Sequence, residues 1–277
     1  STGNAGSSLA SLSAYHGMKS IILAPATAPI AKLTQILQHG AQLVPVDANY
    51  DTAFDLAFEW AQKHESYCRN TGINPILAEG KKTVALEIAE QNDWKVPDHL
   101  FVPVGDGCII SGVYKGFFDL LSLKWIDSMP AIHAVQAEGS AAIVDSLAQE
   151  GDIQSVSADT IADSISVDQP RDGDKARRAI TRSGGKGFMV SDDDILRAQK
   201  RLSETTGIFA EPAAAAAYAG FLQATHAGIF KAGDHVVVLL TGSGLKDTAS
   251  AQKLLKPVEA VKSTLVDVEN YLEKLQG

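Results

Sequence analysis

Short runs of apolar residues alternate along this chain with longer segments in which apolar residues recur every three or four positions. The short runs, which predict strands, lie at 20–24, 41–46, 100–104, 131–136 and 235–240. The longer segments, which predict helices, lie at 29–39, 51–64, 80–91, 110–121, 192–205, 213–225 and 264–275. This alternation predicts an α/β architecture of mostly parallel sheets covered by helices.

The division of the chain into domains follows from changes in this pattern. The runs 100–104, 131–136 and 235–240 are nearly all apolar, as in parallel strands that are buried on both faces. The segment 65–75 interrupts the alternation, so we predict two domains: a small one at 1–70 and a large one at 71–277. The segment 151–187 is rich in Asp, Ser and Gly, and we expect irregular surface structure there.

Composition restricts the classes of partner. The chain has 277 residues, of which 45% are hydrophobic, enough for a sizeable core, and 24 Lys and Arg stand against 33 Asp and Glu. This acidic balance disfavours nucleic acid or an anionic membrane as the main partner, and no apolar run approaches the ~20 residues of a membrane span. Cys68 and Cys108 are too few for a disulfide scaffold, and the histidines lack metal-site spacing. We expect a cytoplasmic protein without a metal.

One loop has the features of a phosphate site. A buried strand runs through the segment 105–109 into a helix, whose free N–H groups and dipole attract a phosphate. The carboxylate of Asp106 would have to point away from that anion. Ile110 stands where a dinucleotide motif has its third glycine, which disfavours an NAD site. A strand-to-helix turn without a ligand explains the segment equally well.

Two further loops suit a small polar ligand. The segment 1–4 leads into a helix, and its hydroxyl, amide and N–H groups suit a carboxylate, although helix capping is the simpler explanation. The segment 241–247 follows the last apolar run, where parallel sheets gather ligands at the carboxyl ends of their strands. The hydroxyl of Thr241 would face a ligand ring there, and a glycine-rich turn is the alternative.

The order of these loops along the chain, together with other motifs between them, is more specific than any one loop. The further motifs are Glu79-Gly80-Lys81-Lys82-Thr83, Val135-Gln136-Ala137-Glu138-Gly139, and the segments 160–165, 183–185 and 207–213. Together they resemble the fold-type II family of pyridoxal-phosphate enzymes, whose fold is that of the tryptophan synthase β subunit. The ending Thr-Gly-Ser-Gly-Leu-Lys-Asp is most similar to the threonine synthase branch.

The resemblance implies that pyridoxal 5′-phosphate is the cofactor and gives each loop a role. The first loop binds the substrate carboxylate through Ser1, Thr2 and Gly3, and its Asn4 lies beside the cofactor ring. The second loop holds the cofactor phosphate, mainly through backbone N–H groups of Gly105, Asp106, Gly107, Cys108 and Ile109. Thr241 lies at the pyridine nitrogen, where a neutral hydroxyl favours elimination and replacement over transamination.

The catalytic lysine implied by the resemblance has no match. In the family it binds the cofactor as a Schiff base and lies upstream of the first loop, whereas no residue precedes Ser1. We interpret Lys81, Lys82, Lys115 and Lys246 as solvated surface charges. We therefore expect this chain to be a fragment, or one piece of a split molecule, that needs an N-terminal segment of the same protein and lacks this chemistry alone.

The implied activity converts O-phospho-L-homoserine and water to L-threonine and phosphate, in a homodimer. Ala5 and Leu77 stand where we expect a hydroxyl residue and an arginine for the second phosphate. Neutral contacts from Asn70, Thr71 and Asn74, or a cation of the basic stretch 171–182, are the substitutes. The alternatives are a serine/threonine dehydratase, another fold-type II synthase, and a non-catalytic binding module that retains the fold.

Three other residues have simpler explanations than a catalytic role. We interpret Cys108 as a small residue where a glycine is usual, in preference to a redox-sensitive thiol. His133 lies in an apolar run and is expected to be a hydrogen-bonded core histidine. Glu211 and Pro212 suffice to start a helix, so Glu211 needs no further function.

Overall fold

The computed structural model describes residues 4–149, 151–255 and 257–276. Its strands are β1 (Ile21–Pro25), β2 (Gln42–Val46), β3 (His99–Pro103), β4 (Ala131–Ala137), β5 (Gly187–Val190) and β6 (Val236–Val238). Its helices are α1 (Asn4–Tyr15), α2 (Ile30–Gln38), α3 (Tyr50–Lys63), α4 (Pro75–Lys81), α5 (Thr83–Gln91), α6 (Cys108–Ser122), α7 (Ala142–Asp145), α8 (Gly173–Arg182), α9 (Asp192–Thr206), α10 (Pro212–His226), α11 (Thr248–Gln252) and α12 (Leu265–Gln276).

Two sheets organise these elements, and all their strand pairs are parallel. β1 and β2 form a small sheet, and the larger sheet has the order β5-β4-β3-β6. The predicted α/β class and parallel sheets are therefore confirmed. The boundary between a domain at 1–70 and one at 71–277 remains a prediction. No helix in these described ranges is both long and apolar enough to cross a bilayer.

The larger sheet is buried on both faces. Successive side chains of β3 point to opposite faces, so Leu100 and Val102 join a core with α5, α6 and α8, whereas Phe101 joins a second core with α9 and α10. All three side chains are fully buried. Helices on both faces explain why this run is apolar at every position instead of alternating.

Two predicted segments differ from the structure. The single helix expected at 80–91 is two helices, α4 and α5, because Asn74 caps the N–H of Ile76 and Pro75 starts α4 five residues earlier than expected. The segment 151–187 was expected to be irregular, but it contains α8 and reaches β5. The buried residues of α8 are small or few, and its many charged residues obscure their helical spacing.

A buried lysine joins the two sheets. Lys32 of α2 is fully buried. Its ammonium lies 2.6 and 2.9 Å from the carboxylate oxygens of Asp163, 2.9 Å from the hydroxyl of Ser164 and 3.5 Å from Oε2 of Glu211. Asp163 lies between β4 and β5, and Glu211 immediately precedes α10. One ammonium therefore connects α2 of the small sheet to two segments that pack on the large sheet.

We expect Lys32→Met to lower the free energy of unfolding by about 3–5 kcal/mol, because it leaves Asp163 and Glu211 without their buried cation. Urea-induced unfolding at pH 7 measures the loss. Lys200→Met is the control, because the Lys200 ammonium is half exposed and lies 3.8 Å from Glu204, so its loss changes the free energy by less than about 0.5 kcal/mol. Equal losses in the two variants would contradict this role for Lys32.

The opposite end of the large sheet contains a hydrogen-bonded histidine pair. Nδ1 of the buried His133 accepts a hydrogen bond from the backbone N–H of Lys186 at 3.0 Å, so its proton is on Nε2, 3.0 Å from Nδ1 of His99. Nε2 of His99 lies 3.2 Å from Oδ2 of Asp234. Burial, with a smaller effect from His99, lowers the pKa of His133 to about 4. The prediction of a hydrogen-bonded core histidine is confirmed.

This pKa predicts a loss of stability in mild acid. The unfolded chain protonates His133 near pH 6.5 and the folded chain only near pH 4, so the unfolded state binds more protons in between. The free energy of unfolding therefore decreases as pH falls through this interval, by up to about 1.4 kcal/mol per pH unit from this residue. Urea unfolding from pH 7 to 4 should show a shallower slope in His133→Gln and an unchanged slope in the exposed-site control His226→Gln. Identical slopes for wild type and His133→Gln would refute the prediction that His133 contributes to the loss of stability in acid.

Candidate active site

One cavity of about 780 Å³ lies between the small sheet and the carboxyl end of β3. It is lined by the described members of all three predicted loops: Asn4, Gly105, Asp106, Gly107, Cys108, Ile109 and Thr241. Asn70 and Thr71 line it as well. Ser1, Thr2 and Gly3 lie outside the described residues. The structure therefore brings together loops that are more than 100 positions apart in the sequence.

The second loop has the geometry of an anion site. Gly107 has φ of +87°, and a Cβ there would lie 2.9 Å from the carbonyl oxygen of Asp172, so only glycine fits. It precedes α6, which has no side-chain cap. Within the described chain, the N–H groups of Gly107, Cys108 and Ile109 have no hydrogen-bond acceptor. Three free N–H groups at the positive end of a 15-residue helix fit a phosphate.

Asp106 directs its carboxylate to partners on other elements. Oδ2 accepts a hydrogen bond from the hydroxyl of Tyr50 at 2.5 Å, and Oδ1 accepts one from the backbone N–H of Arg171 at 3.2 Å. Burial raises the pKa of Asp106, and burial together with this carboxylate raises the pKa of Tyr50 well above its usual value. The bond from Tyr50 also fastens the start of α3 to the loop.

Cys108 is the first residue of α6 and is buried. Burial, with added repulsion from Asp106, raises the pKa of its thiol far above its usual value. A thiol with a raised pKa is mostly protonated near neutral pH and is therefore a poor nucleophile. This favours the interpretation of Cys108 as a small packing residue over that of a reactive thiol.

Two charged residues fix the side-chain amide of Asn4. Its Nδ2 donates a hydrogen bond to Oε1 of Glu211 at 2.7 Å, and its Oδ1 accepts one from the ammonium of Lys246 at 2.7 Å. These bonds leave one N–H of Asn4 for a ligand. Because the orientation of the amide is set from both sides, that N–H is held ready before a ligand arrives.

Glu211 does more than start a helix. It precedes α10, where Pro212 occupies the first position, but its side chain caps no N–H. The carboxylate is buried, lines the cavity, and its Oε2 has no hydrogen-bond partner beyond the ion pair with Lys32. Burial raises the pKa of Glu211, and Lys32 opposes that rise. The prediction that helix initiation explains Glu211 is therefore incomplete.

The four lysines that we interpreted as surface charges divide into two pairs. Lys82 and Lys115 form ion pairs with Glu79 and Asp119 outside the cavity, as expected. Lys246 instead binds Asn4. Lys81 lines the cavity, and burial lowers its pKa. For Lys246 and Lys81 the interpretation was wrong, because sequence spacing does not show which way a helix-end lysine points.

Of the remaining residues that the sequence analysis considered for ligand contacts, some line the cavity and others do not. Thr241 follows β6, and its hydroxyl has no partner in the described chain. Asn70 donates its amide N–H to the carbonyl oxygen of Phe54 at 2.8 Å. Asn74 caps α4 and does not line the cavity. The basic residues of 171–182 do not line it either, and Arg171 instead pairs with Asp51 and Asp55.

Comparison with known proteins finds a family and several relatives for this chain. The model of the pyridoxal-phosphate dependent enzyme family matches residues 1–242. Threonine synthase of Methanocaldococcus jannaschii is 39% identical over 254 residues, which cover 91% of this chain and 62% of that protein. Threonine synthase of Bacillus sp. (strain ULM1) is 36% identical over 281 residues, which cover 100% of this chain and 74% of that protein. The chain thus spans less than two thirds of the first of these relatives.

Solved structures share the fold. The processed form of threonine deaminase isoform 2 from Solanum lycopersicum has a TM-score of 0.77 at 24% identity, with 91% of this chain and 70% of that chain covered. A pyridoxal 5′-phosphate-dependent aspartate racemase has a TM-score of 0.74 at 23% identity, with 88% and 72% covered. From the family match and the identity to these relatives we conclude that this chain belongs to the pyridoxal-phosphate dependent enzyme family.

Proposed function

We propose that this chain forms the greater part of a threonine synthase, which converts O-phospho-L-homoserine and water to L-threonine and phosphate. The observation that carries the proposal is the single cavity lined by Asn4, by the loop 105–109 and by Thr241. The identity of 39% to a threonine synthase supports the choice of reaction. Ala5 and Leu77, which lack the expected phosphate contacts, are the features that favour a dehydratase.

The cavity fits pyridoxal 5′-phosphate by the chemistry of its donors. The free N–H groups of Gly107, Cys108 and Ile109 suit the cofactor phosphate. The remaining N–H of Asn4 suits an anionic ring oxygen, and the unpartnered hydroxyl of Thr241 suits the pyridine nitrogen. When bound, the cofactor acts as an electron sink that makes the proton on the amino-bearing carbon of the substrate easier to remove.

The residues of this chain contribute binding and orientation. The loop 105–109 fixes the anionic end of the ligand, and Glu211 with Lys246 holds Asn4 in one orientation. Thr241 presents no charge to the pyridine nitrogen, which favours replacement at the β- or γ-carbon over transamination. Ser1, Thr2 and Gly3 are proposed to bind the substrate carboxylate, with Asn70 and Thr71 on the substrate side of the cavity.

The proposal extends to the attachment of the cofactor, the cellular compartment and the oligomeric state. No lysine of this chain is proposed to attach the cofactor. Cys68 and Cys108 are both free thiols, which supports a reducing compartment such as the cytoplasm. Trp94 and Trp125 meet edge to face at 5.1 Å with 40% and 59% of their surfaces exposed, which supports a homodimer that covers them.

The reaction is tested in the longest natural polypeptide that contains this chain. We expect release of phosphate from O-phospho-L-homoserine with an equal amount of threonine formed. Asn4→Ala should lower kcat/KM about a hundredfold, because it removes the proposed donor to the anionic ring oxygen and leaves the carboxylate of Glu211 without its amide partner. Asn92→Ala is the matched control, since Asn92 only bonds the carbonyl of Ile88 at the end of α5 and does not line the cavity.

The alternatives give different results in the same assays. A dehydratase would release ammonia from threonine and no phosphate from O-phospho-L-homoserine. A non-catalytic module would do neither and would show no visible absorbance from bound cofactor. Either pattern would refute the proposed reaction.

A further inference from the structure

The charges that line the cavity are unequally paired. Its carboxylates have partners: Asp106 is bonded to Tyr50, while Asp163 and Glu211 share the ammonium of Lys32. Two half-buried cations of the same wall, Arg69 and Lys81, have no acidic partner within ion-pair distance in the described residues. Buried charges are normally paired, so this wall is built to receive an anion.

The position of Lys81 is set by a close contact between helices. Lys81 ends α4, and a Cβ added to Gly112 of α6 would lie 2.6 Å from the Cβ of Lys81. Only a glycine lets the two helices approach this closely. Lys81 therefore lies against α6 near its start, interacts with Cys108, and lines the same cavity as the phosphate loop.

Arg69 lies close enough to interact with Lys81. Burial lowers the pKa of Lys81, and the charge of Arg69 lowers it further. Asp172 and Asp106 act in the opposite direction, but Asp172 is already paired with Lys175 at 2.5 Å. Two cations that repel each other at the wall of a cavity would both be stabilised by a doubly charged anion between them.

We propose that Arg69 and Lys81 form the subsite for the second phosphate, the one that the substrate carries and releases. This inference rests on the proposed function. It supplies the guanidinium that is missing at Leu77, because Arg69 immediately precedes the predicted substrate contacts Asn70 and Thr71. A planar guanidinium binds a phosphate through two parallel hydrogen bonds, and the ammonium adds a point charge.

The cofactor phosphate is the other anion that these cations could meet. The free N–H groups of Gly107, Cys108 and Ile109 already provide for one phosphate without a side-chain charge. Arg69 and Lys81 are additional to them and belong to other segments, before and at the end of α4. We therefore assign the cations to the substrate, and the experiment separates the two sources.

The test measures binding, not turnover. The chain is saturated with pyridoxal 5′-phosphate, and calorimetry gives the Kd of O-phospho-L-homoserine and of L-homoserine. We expect the phosphorylated compound to bind at least about tenfold more tightly in wild type, and Arg69→Gln and Lys81→Gln each to remove most of this preference. The Kd of pyridoxal 5′-phosphate, followed by its absorbance, should change less than about twofold in both variants.

Lys82→Gln is the matched control, because the adjacent Lys82 pairs with Glu79 and Asp119 and does not line the cavity. It should keep the full preference. Circular dichroism checks that each variant is folded, and if Arg69→Gln is not, Lys81→Gln decides alone.

The other possible results separate failure of the phosphate subsite from failure of the proposed function. A preference that survives Lys81→Gln overturns the subsite while the proposed function stands. Weaker binding of pyridoxal 5′-phosphate with an unchanged preference assigns the cations to the cofactor and also overturns the subsite. Failure of the longest natural polypeptide that contains this chain to bind pyridoxal 5′-phosphate overturns the proposed function itself, and the subsite with it.

Discussion

The arrangement of the cavity depends on the buried ammonium of Lys32. It lies on α2, which packs with the small sheet, yet it forms ion pairs with Asp163 and Glu211, which lie on segments that pack on the large one. A carboxylate as buried as that of Glu211 needs a cation beside it. Since Glu211 also accepts the hydrogen bond from Asn4, the position of the first loop is linked through one carboxylate to the contact between the sheets.

The polar groups of the cavity follow a simple division. Each acidic group that lines the cavity has a partner within the protein, as Asp106 has in Tyr50 and Glu211 has in Lys32. The groups left without a partner in the described residues are mainly donors and cations: the N–H groups of the loop 105–109, the hydroxyl of Thr241, and Arg69 with Lys81. Such a surface complements a ligand rich in anionic oxygens. A phosphorylated cofactor and a phosphorylated amino acid are both of this kind.

Much of this fold follows from local pattern. Apolar strands alternating with helical segments predict parallel sheets, because helices must cover both faces, and Leu100 and Phe101 show this on opposite faces of β3. The pattern does not predict α8, because five of its ten residues are charged and its few apolar residues do not show a clear helical spacing. The pattern also predicts one helix where the structure has α4 and α5. The apolar spacing becomes clear only after Gly80, whereas the cap by Asn74 starts α4 at Pro75.

Only part of the candidate site could be predicted from the sequence, because local patterns do not show contacts between distant residues. Loops that follow strands were found because their chemistry is local: glycines before a helix, or a hydroxyl after a strand. Lys32, Lys81 and Lys246 were missed as site residues because their roles depend on partners far away in the chain, such as Asp163 and Asn4. A lysine within an apolar segment such as 29–39 was the one available signal, since Lys32 lies among the residues that face the core.

We propose that loops of both sheets hold one molecule of pyridoxal 5′-phosphate in one orientation. A crystal structure of the chain with this cofactor tests it most directly. We expect the phosphate within hydrogen-bond distance of the N–H groups of Gly107, Cys108 and Ile109, with the pyridine nitrogen facing Thr241 and Asn4 beside the ring. A cofactor phosphate bound elsewhere, or a ring that contacts neither Asn4 nor Thr241, would contradict it.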